Sequence, residues 1–559
     1  MDPAAVEALL VDGMDPISAR ILALRGQALG GSVGRDWLQP RFEHLHDPWA
    51  MLGMGPALQR LERAIADGQK VRIITDYDVD GTTSSLILQA ALKLAGHQGA
   101  LDYHIPDRFR EGYGFSTIAA ERAAEDGVDL IVTADIGVRD HAAVDLARER
   151  GVDVLICDHH LPAGASVPDN ALVLCPPQAD DPYPNPYLAA CGVALKLAQG
   201  LLHDHKKRDG IVRSLMKLAA IGTVADMVPL STLENRAIVT LGLRSLNQDR
   251  HTAGLSALLG VAGLEPGHID ERDLGFRIGP RINAAGRVAH ARLVVRLLNG
   301  RDPVEARALA RQLDELNMHR KQLQRRLTQA VLAELGDAPD AFVVVAGPEE
   351  EGWHRGVVGI VASRVKDELH RPAAVVSIQG DRAVGSVRSI PAVHAVRALD
   401  SASDLLVKYG GHPAAAGFTV PTKDLDALRE RLSAYVEAQV SAEALVPERT
   451  VDVELGLSDL TMDLHRQLRT LGPFGQGNPE PRLLLRGVTP RRTQLRADGR
   501  LLALQLDAPG GRMDAIWWGQ ADHQPAIDGQ AVDLLGRLST WKARDGERLQ
   551  FELEDVRRP

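Results

Sequence analysis

Four short runs rich in β-branched residues recur at regular intervals in the first third of the chain. Their first residues are Val71, Leu101, Val128 and Val152. Successive runs begin 30, 27 and 24 residues apart, and helical stretches such as 82–94 and 139–150 fill the intervals. Strands that alternate with helices at this period form βαβ units, which build a parallel sheet. The sequence therefore predicts an α/β fold with a parallel sheet in this region.

Acidic residues and histidines follow directly after three of these runs. They are Asp76, Asp78 and Asp80 after the first run, Asp135 after the third, and Asp158, His159 and His160 after the fourth. Open α/β sheets bind ligands at the carboxyl ends of their parallel strands, so we expect these side chains to lie close together. A further acid, Asp226, follows a helical segment.

Carboxylates at this density repel one another unless cations lie between them. Oxygen ligands favour Mg²⁺ or Mn²⁺, and a histidine nitrogen shifts the preference toward Mn²⁺. Two ions that share a carboxylate could activate a water molecule and hold both the attacking and the leaving oxygen of a phosphodiester. The sequence therefore predicts a hydrolytic site with two metal ions.

Each part of this cluster also has a simpler interpretation. The segment from Asp76 to Gly81 is compatible with a calcium loop, but position 12, where such loops carry glutamate, is Ile87. A pair of histidines is more often structural, and single aspartates such as Asp135 or Asp226 often cap helices. Capping does not explain acids at the ends of several strands of one sheet, so the metal interpretation is favoured.

The composition excludes several classes of protein. The chain has 559 residues and a net charge of −10, which rules out a uniformly basic surface but not local basic grooves. The three cysteines, Cys157, Cys175 and Cys191, form no Cys-x-x-Cys pair, which argues against zinc fingers and a disulfide framework. Without a run of 18 apolar residues or a signal peptide, we expect a cytoplasmic protein that makes no membrane contact.

The later part of the chain changes character twice. Asp302 and Pro303 predict the start of a long helix that runs to about Leu335, and its basic stretch is either a solvated face or a wall beside a polyanion. A second α/β region begins at Ala341. From Val451, short strands with Gly and Pro turns predict a small all-β module. Its six arginines between 482 and 500 and its three tryptophans suit a single-strand groove, with a solvated face as the alternative.

Several motifs give the chain a resemblance to a known family. Asp158-His159-His160, with the acids upstream and downstream, resembles the DHH phosphoesterase superfamily. Residues 279–287 (GPRINAAGR) and 352–364 (GWHRGVVGIVASR) resemble segments of its RecJ group, the single-strand-specific DNA exonucleases. Residues 409–417 resemble the substrate-binding motif of the accompanying DHHA1 domain, and residues 474–481 (FGQGNPEP) resemble the start of the group's oligonucleotide-binding (OB) fold. The family's first motif usually begins with Gly where Thr75 stands, which leaves the acids intact.

The resemblance implies roles for individual residues. The implied metal ligands are Asp76, Asp78, Asp80, Asp135, His159 and Asp226. The implied catalytic groups are Asp78, Asp135, His159, His160, Asp226 and Arg281. His160 is expected to face the scissile phosphate, and Arg281 to contact phosphate unless it forms an ordinary salt bridge. Ser386 and Arg388 are implied to grip a terminal 5′ phosphate, with Gly411 and His412 nearby in the second domain. Tyr113 could stack on a base or could be a core aromatic.

The resemblance also implies the organisation of the chain. The expected fold is α/β: a parallel-sheet DHH domain, a long connecting helix, a smaller α/β DHHA1 domain and an all-β, OB-like domain. The expected segments are an N-terminal helical extension (1–55), the DHH catalytic domain (56–301), the connecting helix (302–338), the DHHA1 substrate-binding domain (339–445) and the OB-fold domain (446–559).

A single-stranded-DNA-specific exonuclease is therefore expected, one that degrades 5′→3′ with two Mn²⁺ or Mg²⁺ ions in recombination and repair. Single-strand binding protein and a RecQ-type helicase are the partners that the resemblance implies. One alternative is a DHH oligoribonuclease or cyclic-dinucleotide phosphodiesterase, although such chains typically lack the β module. Another is a catalytically inactive single-strand-binding scaffold, which would be marked by lost metal ligands.

Overall fold

The computed structural model describes residues 6–558 except for 8, 11–13, 26–31, 109, 163, 165, 249, 336–339, 498, 509, 510, 544 and 545. The chain divides into two compact units. The first unit comprises Met1–Thr252, Gly263–Gly279 and Thr450–Pro559, and the second comprises Ala253–Ala262 and Pro280–Arg449. Among the described residues, no helix combines the length and the apolar character that a membrane span requires.

A five-stranded parallel sheet lies at the centre of the first unit, with the strand order β2-β1-β3-β4-β5. Its strands are β1 (Val71–Thr75), β2 (Leu101–His104), β3 (Leu130–Ala134), β4 (Asp153–Cys157) and β5 (Leu172–Leu174). The four runs found in the sequence are the first four of these strands, and the predicted parallel α/β sheet is confirmed.

The helices of this part of the chain come before, between and after the strands. They are α1 (Pro16–Leu24), α2 (Ser32–Leu38), α3 (Met54–Ala66), α4 (Val79–Leu94), α5 (Thr117–Glu125), α6 (His141–Glu149), α7 (Ala190–Leu201), α8 (Arg208–Ala225) and α9 (Leu233–Leu246). Alternate strand residues enter two different cores: Ile73 packs into one and Ile74 into the other. Because both faces of the sheet are covered, its strands read as nearly continuous apolar runs.

The second unit contains a mixed five-stranded sheet with the order β6-β7-β8-β10-β9. Its strands are β6 (Val343–Pro348), β7 (Ala373–Gln379), β8 (Arg382–Arg388), β9 (Lys408–His412) and β10 (Ala415–Pro421). Its helices are α10 (Ala253–Val261), α11 (Gly279–Val288, which begins one residue before the unit), α12 (Arg292–Asn299), α13 (Pro303–Leu335), α14 (Val358–Leu369), α15 (Ala395–Asp400) and α16 (Leu425–Gln439). The long helix was expected to reach residue 338, and residues 336–338 lie outside the described part of the chain.

The C-terminal module of the first unit is a seven-stranded mixed sheet with the order β11-β12-β16-β17-β15-β14-β13. Its strands are β11 (Val453–Glu454), β12 (Leu483–Val488), β13 (Arg492–Arg496), β14 (Leu501–Ala508), β15 (Gly511–Trp518), β16 (Val532–Ala543) and β17 (Gly546–Arg557). It also contains the helices α17 (Met462–Arg469) and α18 (Gln524–Ile527), so the module is not purely β. The last two strands have 12 residues each, so they are longer than the short strands that the sequence predicts for this module.

The N-terminal helices share one hydrophobic core with this C-terminal module. Ile21 and Leu22 of α1 and Trp37 of α2 pack with residues such as Leu483 and Phe551. The fully buried guanidinium of Arg236 anchors the junction: it lies 3.4 Å from the Trp37 ring centroid and donates hydrogen bonds to backbone carbonyls on both sides. The first residues of the chain therefore stabilise its last domain.

Candidate metal centre and substrate-binding residues

The loop after β1 places three aspartates at the start of α4. Asp76 follows the last residue of the strand and is almost fully buried. Asp78 is the N-cap of α4, and its Oδ1 accepts a hydrogen bond of 3.0 Å from the backbone N–H of Gly81. Asp80 lies in the first helical turn, where a negative charge interacts favourably with the helix dipole. One strand-to-helix turn therefore carries three of the predicted ligands.

A second helix end holds the Asp80 carboxylate. The backbone N–H groups of Ala190 and Cys191, at the start of α7, donate to its two oxygens at 2.7 and 2.8 Å. The side chain is fully buried. Helix α8 packs tightly here, since a Cβ on Gly222 would lie 2.6 Å from Thr83 Oγ1 and 3.0 Å from Asp80 Oδ1. The position of Asp80 thus depends on close packing between α4, α7 and α8.

Asp135 follows β3 in an unusual backbone conformation. Its φ is +65°, in the left-handed region that residues other than glycine rarely occupy. Its backbone N–H donates to the carbonyl oxygen of Cys157, the last residue of β4. Conformations of this kind cost about 1–3 kcal/mol and cluster at functional sites. The turn directs the Asp135 side chain toward the neighbouring strand end.

The ring of His159 brings the separate acids together. Its Nε2 lies 3.3 Å from Asp135 Oδ1, 3.6 Å from Asp226 Oδ2 and 3.9 Å from Asp80 Oδ2. Among the described residues, this nitrogen and Asp76 Oδ1 are buried and make no hydrogen bond. Buried polar atoms without partners are costly unless something else satisfies them. Their setting among carboxylate oxygens suits coordination to a cation.

The ligand atoms form three overlapping groups, each lying within 4.8 Å. One group contains Asp76, Asp78 and Asp135; a second contains Asp80, His159 and Asp226; a third contains Asp135, His159 and His160. Asp135 belongs to two of the groups, which makes it the natural carboxylate to bridge two ions. The residues thus fit two divalent cations, as the sequence predicts.

Burial and mutual repulsion act on these carboxylates in the same direction. The pKa values of Asp76 and Asp135 are raised well above the usual range, mainly by burial and secondly by the charge of Asp78. Burial, then the charge of Asp80, does the same to the pKa of Asp226. Burial also lowers the pKa of His159, which favours the neutral ring that a metal requires.

Asp158 has a different role from its neighbours. Its Oδ1 accepts hydrogen bonds from the backbone N–H of His159 at 2.7 Å and from Nδ1 of His160 at 2.8 Å, and Oδ2 accepts from the Val138 N–H. Although burial raises its pKa, the hydrogen bond and charge of His160 bring the pKa of Asp158 down to about 2. Asp158 is not among the predicted catalytic, metal-binding or substrate-binding residues. Its position as the first residue of the Asp-His-His motif is the sequence feature from which its role could have been predicted.

Tyr113 lies at the open side of this group. Its hydroxyl is 3.2 Å from Nε2 of His160 and 3.4 Å from the carbonyl oxygen of Asp135. The side chain is exposed, so the alternative of a core aromatic is wrong. His160 is thus held at Nδ1 by Asp158 and approached at Nε2 by Tyr113.

In the second unit, the register of the sheet aligns the residues expected to grip a 5′ phosphate. Arg388 of β8 and His412 of β9 both pair with Ala415 of β10, so the two side chains lie on one face. Ser386 lies two residues before Arg388 on the same face, and its Oγ is 2.9 Å from Arg388 Nη1. Gly411 lies next to His412 where β9 and β10 approach closely.

The N-terminus of α14 covers the same face of this sheet. A Cβ on Gly359, in the first turn of α14, would lie 2.9 Å from Ser386 Oγ and 3.1 Å from Arg388 Nη2. A helix N-terminus, a guanidinium and a hydroxyl together form a good anion site.

Arg281 is also in the second unit. Its Nε donates to Asp314 Oδ1 at 2.9 Å, and its Nη2 donates to the carbonyl oxygen of Val261 at 3.2 Å. Arg281 therefore forms a salt bridge with Asp314 in this structure, which is the alternative to a phosphate contact that the sequence left open. Contact with phosphate would require this guanidinium to share its donors with Asp314.

An open cavity of about 460 Å³ lies on the exposed face of the C-terminal sheet. Arg492 and Arg496 of β13, Trp518 of β15 and Trp541 of β16 line it, and both indole rings are exposed. Arg272, from the segment before α11, lines the same cavity. Cations beside exposed aromatics suit the backbone and bases of a single strand.

A parallel sheet whose strand ends gather carboxylates and two histidines into overlapping ligand groups defines a metal-dependent phosphoesterase of the DHH class. Three family models match the chain: the DHH family, N-terminal domain over residues 70–223, the DHHA1 domain over 339–438, and the RecJ OB domain over 451–555.

Named relatives narrow the class further. The single-stranded-DNA-specific exonuclease RecJ of Bacillus subtilis is 34% identical over 97% of this chain and 68% of its own length. The Thermus thermophilus protein of the same name is 35% identical over 93% of this chain and 73% of its own length. The crystal structure of the Thermus protein with Mn²⁺ matches with a TM-score of 0.84 and 31% identity, covering 100% of this chain and 78% of the other. The chain therefore belongs to the RecJ family of single-stranded-DNA-specific exonucleases.

These comparisons confirm the predicted fold class and the predicted choice of ions. The three matched models correspond to the expected DHH, DHHA1 and OB-like parts. The Thermus protein has also been crystallised with Mg²⁺, and that structure matches with a TM-score of 0.79 and 30% identity over 100% of this chain and 77% of the other. Carboxylate oxygens with one imidazole nitrogen are a ligand set that accepts either ion.

Proposed function

We propose that this chain hydrolyses single-stranded DNA in the 5′→3′ direction, with two divalent cations at the centre that surrounds His159. The observation that carries the proposal is the unpartnered His159 Nε2 among carboxylate oxygens of Asp80, Asp135 and Asp226. Membership of the RecJ family supports the substrate and the reaction.

Asp76, Asp78 and Asp135 would hold one ion, and Asp80, His159 and Asp226 the other; Asp135 Oδ1 also lies 3.3 Å from His159 Nε2, so it is close to both groups. When bound, Mn²⁺ or Mg²⁺ supplies Lewis acidity that activates water and stabilises charge on the phosphodiester oxygens. Helix α7 fixes the Asp80 carboxylate, and the turn after β3 fixes Asp135. The chain's contribution is to hold these oxygens in place before substrate arrives.

His160 contacts the scissile phosphate in this proposal. An ionised Asp158 can only accept hydrogen bonds, so Nδ1 of His160 carries the proton that it donates. Although burial opposes it, the hydrogen bond to Asp158 raises the pKa of His160 above the usual value. A second proton at Nε2 is therefore favoured, and it would be donated to a phosphate oxygen while Tyr113 moves to a base.

The terminal phosphate would bind in the second unit. Arg388 supplies a charge that cannot be lost, and Ser386 and the N-terminus of α14 supply further donors. Gly411 allows close approach of the backbone, and His412 lies in the same row of the sheet as Arg388. Arg281 would exchange its bond with Asp314 for a backbone phosphate.

The cavity between Trp518 and Trp541 would bind the strand away from the reaction centre. Recombination and repair in the cytoplasm, with single-strand binding protein and a RecQ-type helicase as partners, complete the proposal. The proposed domain limits are 1–55, 56–301, 302–338, 339–445 and 446–559.

The test is cleavage of single-stranded DNA that carries a 5′ phosphate and a 3′ label. Stepwise shortening from the 5′ end with Mn²⁺, and none with EDTA, is expected, with a blunt duplex and a matching RNA left intact. The Arg388→Met variant should lose the preference for a 5′ phosphate over a 5′ hydroxyl but keep its metal dependence. Attack confined to short RNA would indicate an oligoribonuclease, and binding without cleavage a scaffold; either result would overturn the proposal.

A further inference from the structure

The most exposed large apolar side chain among the described residues is Phe276, with 76% of its surface accessible. It lies in a π-helical turn, Leu274–Ile278, directly before α11. Turns of this kind are rare and are found most often at functional sites. A phenyl ring left in water offers apolar surface that a ligand could cover.

The backbone that carries Phe276 is firmly held. Arg277 donates to Asp273 Oδ1 at 3.1 Å and to the carbonyl oxygen of Gly263 at 2.7 Å. Asp270 and Asp273 cap the preceding turn through reciprocal hydrogen bonds. The ring is thus presented to solvent from a braced support, which lowers the entropy that binding would cost.

This turn packs against the end of the helix that leads to a proposed metal ligand. A Cβ on Gly275 would lie 3.6 Å from Val224 Cγ1, and a Cβ on Gly279 would lie 3.5 Å from Ala225 Cβ. Asp226 is the next residue after α8. Phe276 is therefore carried by a turn that packs against the last turn of α8, directly before Asp226.

Met227 directly follows Asp226 in the chain. Its side chain is 67% exposed. Its φ of +60° lies in the left-handed region, which residues other than glycine rarely adopt. Such strain persists only where the surrounding structure holds it, and it occurs often at ligand clamps. An exposed apolar side chain thus directly follows one of the proposed metal ligands, on the helix end against which the turn of Phe276 packs.

The other end of the segment reaches the C-terminal sheet. Arg272, four residues before Phe276, lines the cavity that contains Trp518 and Trp541 and forms an ion pair of 3.5 Å with Glu552. One helical turn separates the two positions along the segment. The segment that carries Phe276 therefore runs from this cavity to the turn that packs against the end of α8.

We propose that Phe276 stacks on an unpaired nucleobase next to the scissile phosphate and so selects single strands. This inference rests on the proposed function and adds a specificity-determining residue to it. A nucleobase is the ligand that fits the Phe276 ring. The phosphate of its nucleotide is attracted to the metal centre, and the flat face of the base can stack on an apolar ring. In a duplex the bases are stacked and paired, so their faces are not available to the ring.

The test is a cycle that removes the ring and the base separately and together. A single abasic nucleotide is moved along a 5′-phosphorylated single strand, and kcat/KM in Mn²⁺ and the dissociation constant in Ca²⁺ are measured for each position. At the most sensitive position, loss of the base or the change Phe276→Ala should each weaken both quantities by roughly 5- to 100-fold, as for one base–aromatic stack. The two losses should not add, because they remove the same contact.

Two further variants separate stacking from other effects. Phe276→Trp should restore binding and Phe276→Leu should not, with the change carried by KM. Trp49→Ala is the matched control, since Trp49 is exposed and packs on His203 beyond the end of α7 opposite to Asp80. Its cleavage and binding should match the unaltered protein.

The inference and the proposed function can fail separately. If the protein cleaves single strands but the two losses add, or Phe276→Ala folds normally and has no effect, the stacking inference is wrong. If the protein binds without cleaving, the Ca²⁺ binding data still decide the inference while the proposed function fails. Absence of any binding to single strands would overturn both.

Discussion

Replacing Asp135 by asparagine should make the metal-free protein more stable while abolishing its activity. Asparagine has the same shape and tolerates the left-handed φ of +65° at this position, so the backbone need not move. What changes is the charge at the point where two ligand groups meet. The direction of the stability change therefore reports whether these carboxylates repel one another in the absence of a cation.

The structure sets the size of the effect. Ligand atoms of Asp135, Asp76 and Asp78 lie within 4.8 Å of one another, and two full charges at that distance repel by about 3 kcal/mol at an effective dielectric constant of about 20. Because burial and Asp78 raise the pKa of Asp135, part of this repulsion is already relieved by protonation. We therefore expect the unfolding free energy of the metal-free variant to rise by about 1–3 kcal/mol, with the repulsion of two full charges as the upper limit.

Added metal should reverse the order. A cation present at about 100 times its dissociation constant stabilises the folded state by about 2.7 kcal/mol, and the variant should gain much less because it has lost the bridging charge. Thermal unfolding in EDTA and in Mn²⁺, followed for both proteins, gives the four values needed. Asp145→Asn is the control: Asp145 is exposed on α6, belongs to none of the ligand groups among the described residues, and should respond to Mn²⁺ as the unaltered protein does.

One result would refute this reasoning. If Asp135→Asn were less stable than the unaltered protein in EDTA by the same amount as in Mn²⁺, the carboxylate would be stabilised by the protein itself. The assignment of Asp135 as a bridging metal ligand would then be wrong.

Three other substitutions test separate parts of the structure. Asp158→Asn should lower kcat by about 10- to 100-fold with little change in KM, because it frees the His160 ring; unchanged turnover would remove its positioning role. Leu22→Ala should destabilise the C-terminal module by about 2–5 kcal/mol, because Leu22 packs in its core. Faster proteolysis after residue 450 would show this effect, and cleavage confined to the N-terminus would contradict the shared core. Gly222→Ala should cost about 1–3 kcal/mol in thermal unfolding and weaken Mn²⁺ binding, since its Cβ would lie 2.5 Å from Cys191 Sγ; a neutral result would show that α8 can move.

The parallel sheet and the acids at its edge could be predicted because both are local properties of the sequence. Strands buried on both faces read as apolar runs, and the helices between them set the period. Once β1, β3 and β4 are parallel neighbours, the residues that follow them must meet at one edge. Asp76, Asp135 and His159 were therefore located without any knowledge of side-chain geometry.

The shared core of the two chain ends could not be predicted in the same way. Leu22 and Phe551 lie in one cluster although more than 500 residues separate them in the sequence. Apolar periodicity shows that a helix has a buried face, but it does not show what covers that face. The same limit applies to Arg281, whose pairing with Asp314 depends on how α11 packs against α13.

The buried and partly buried acids around His159 and His160 differ in what neutralises their charge. This difference separates acids with a structural role from acids with a functional one. Asp158 is satisfied by backbone and imidazole N–H groups, and its pKa of about 2 shows that the fold favours its charge. Burial and neighbouring carboxylates hold the pKa of Asp76, Asp135 and Asp226 well above the usual range, so the fold disfavours theirs. A chain under selection for stability alone would not keep three such groups together. Their retention is explained if cations complete the site.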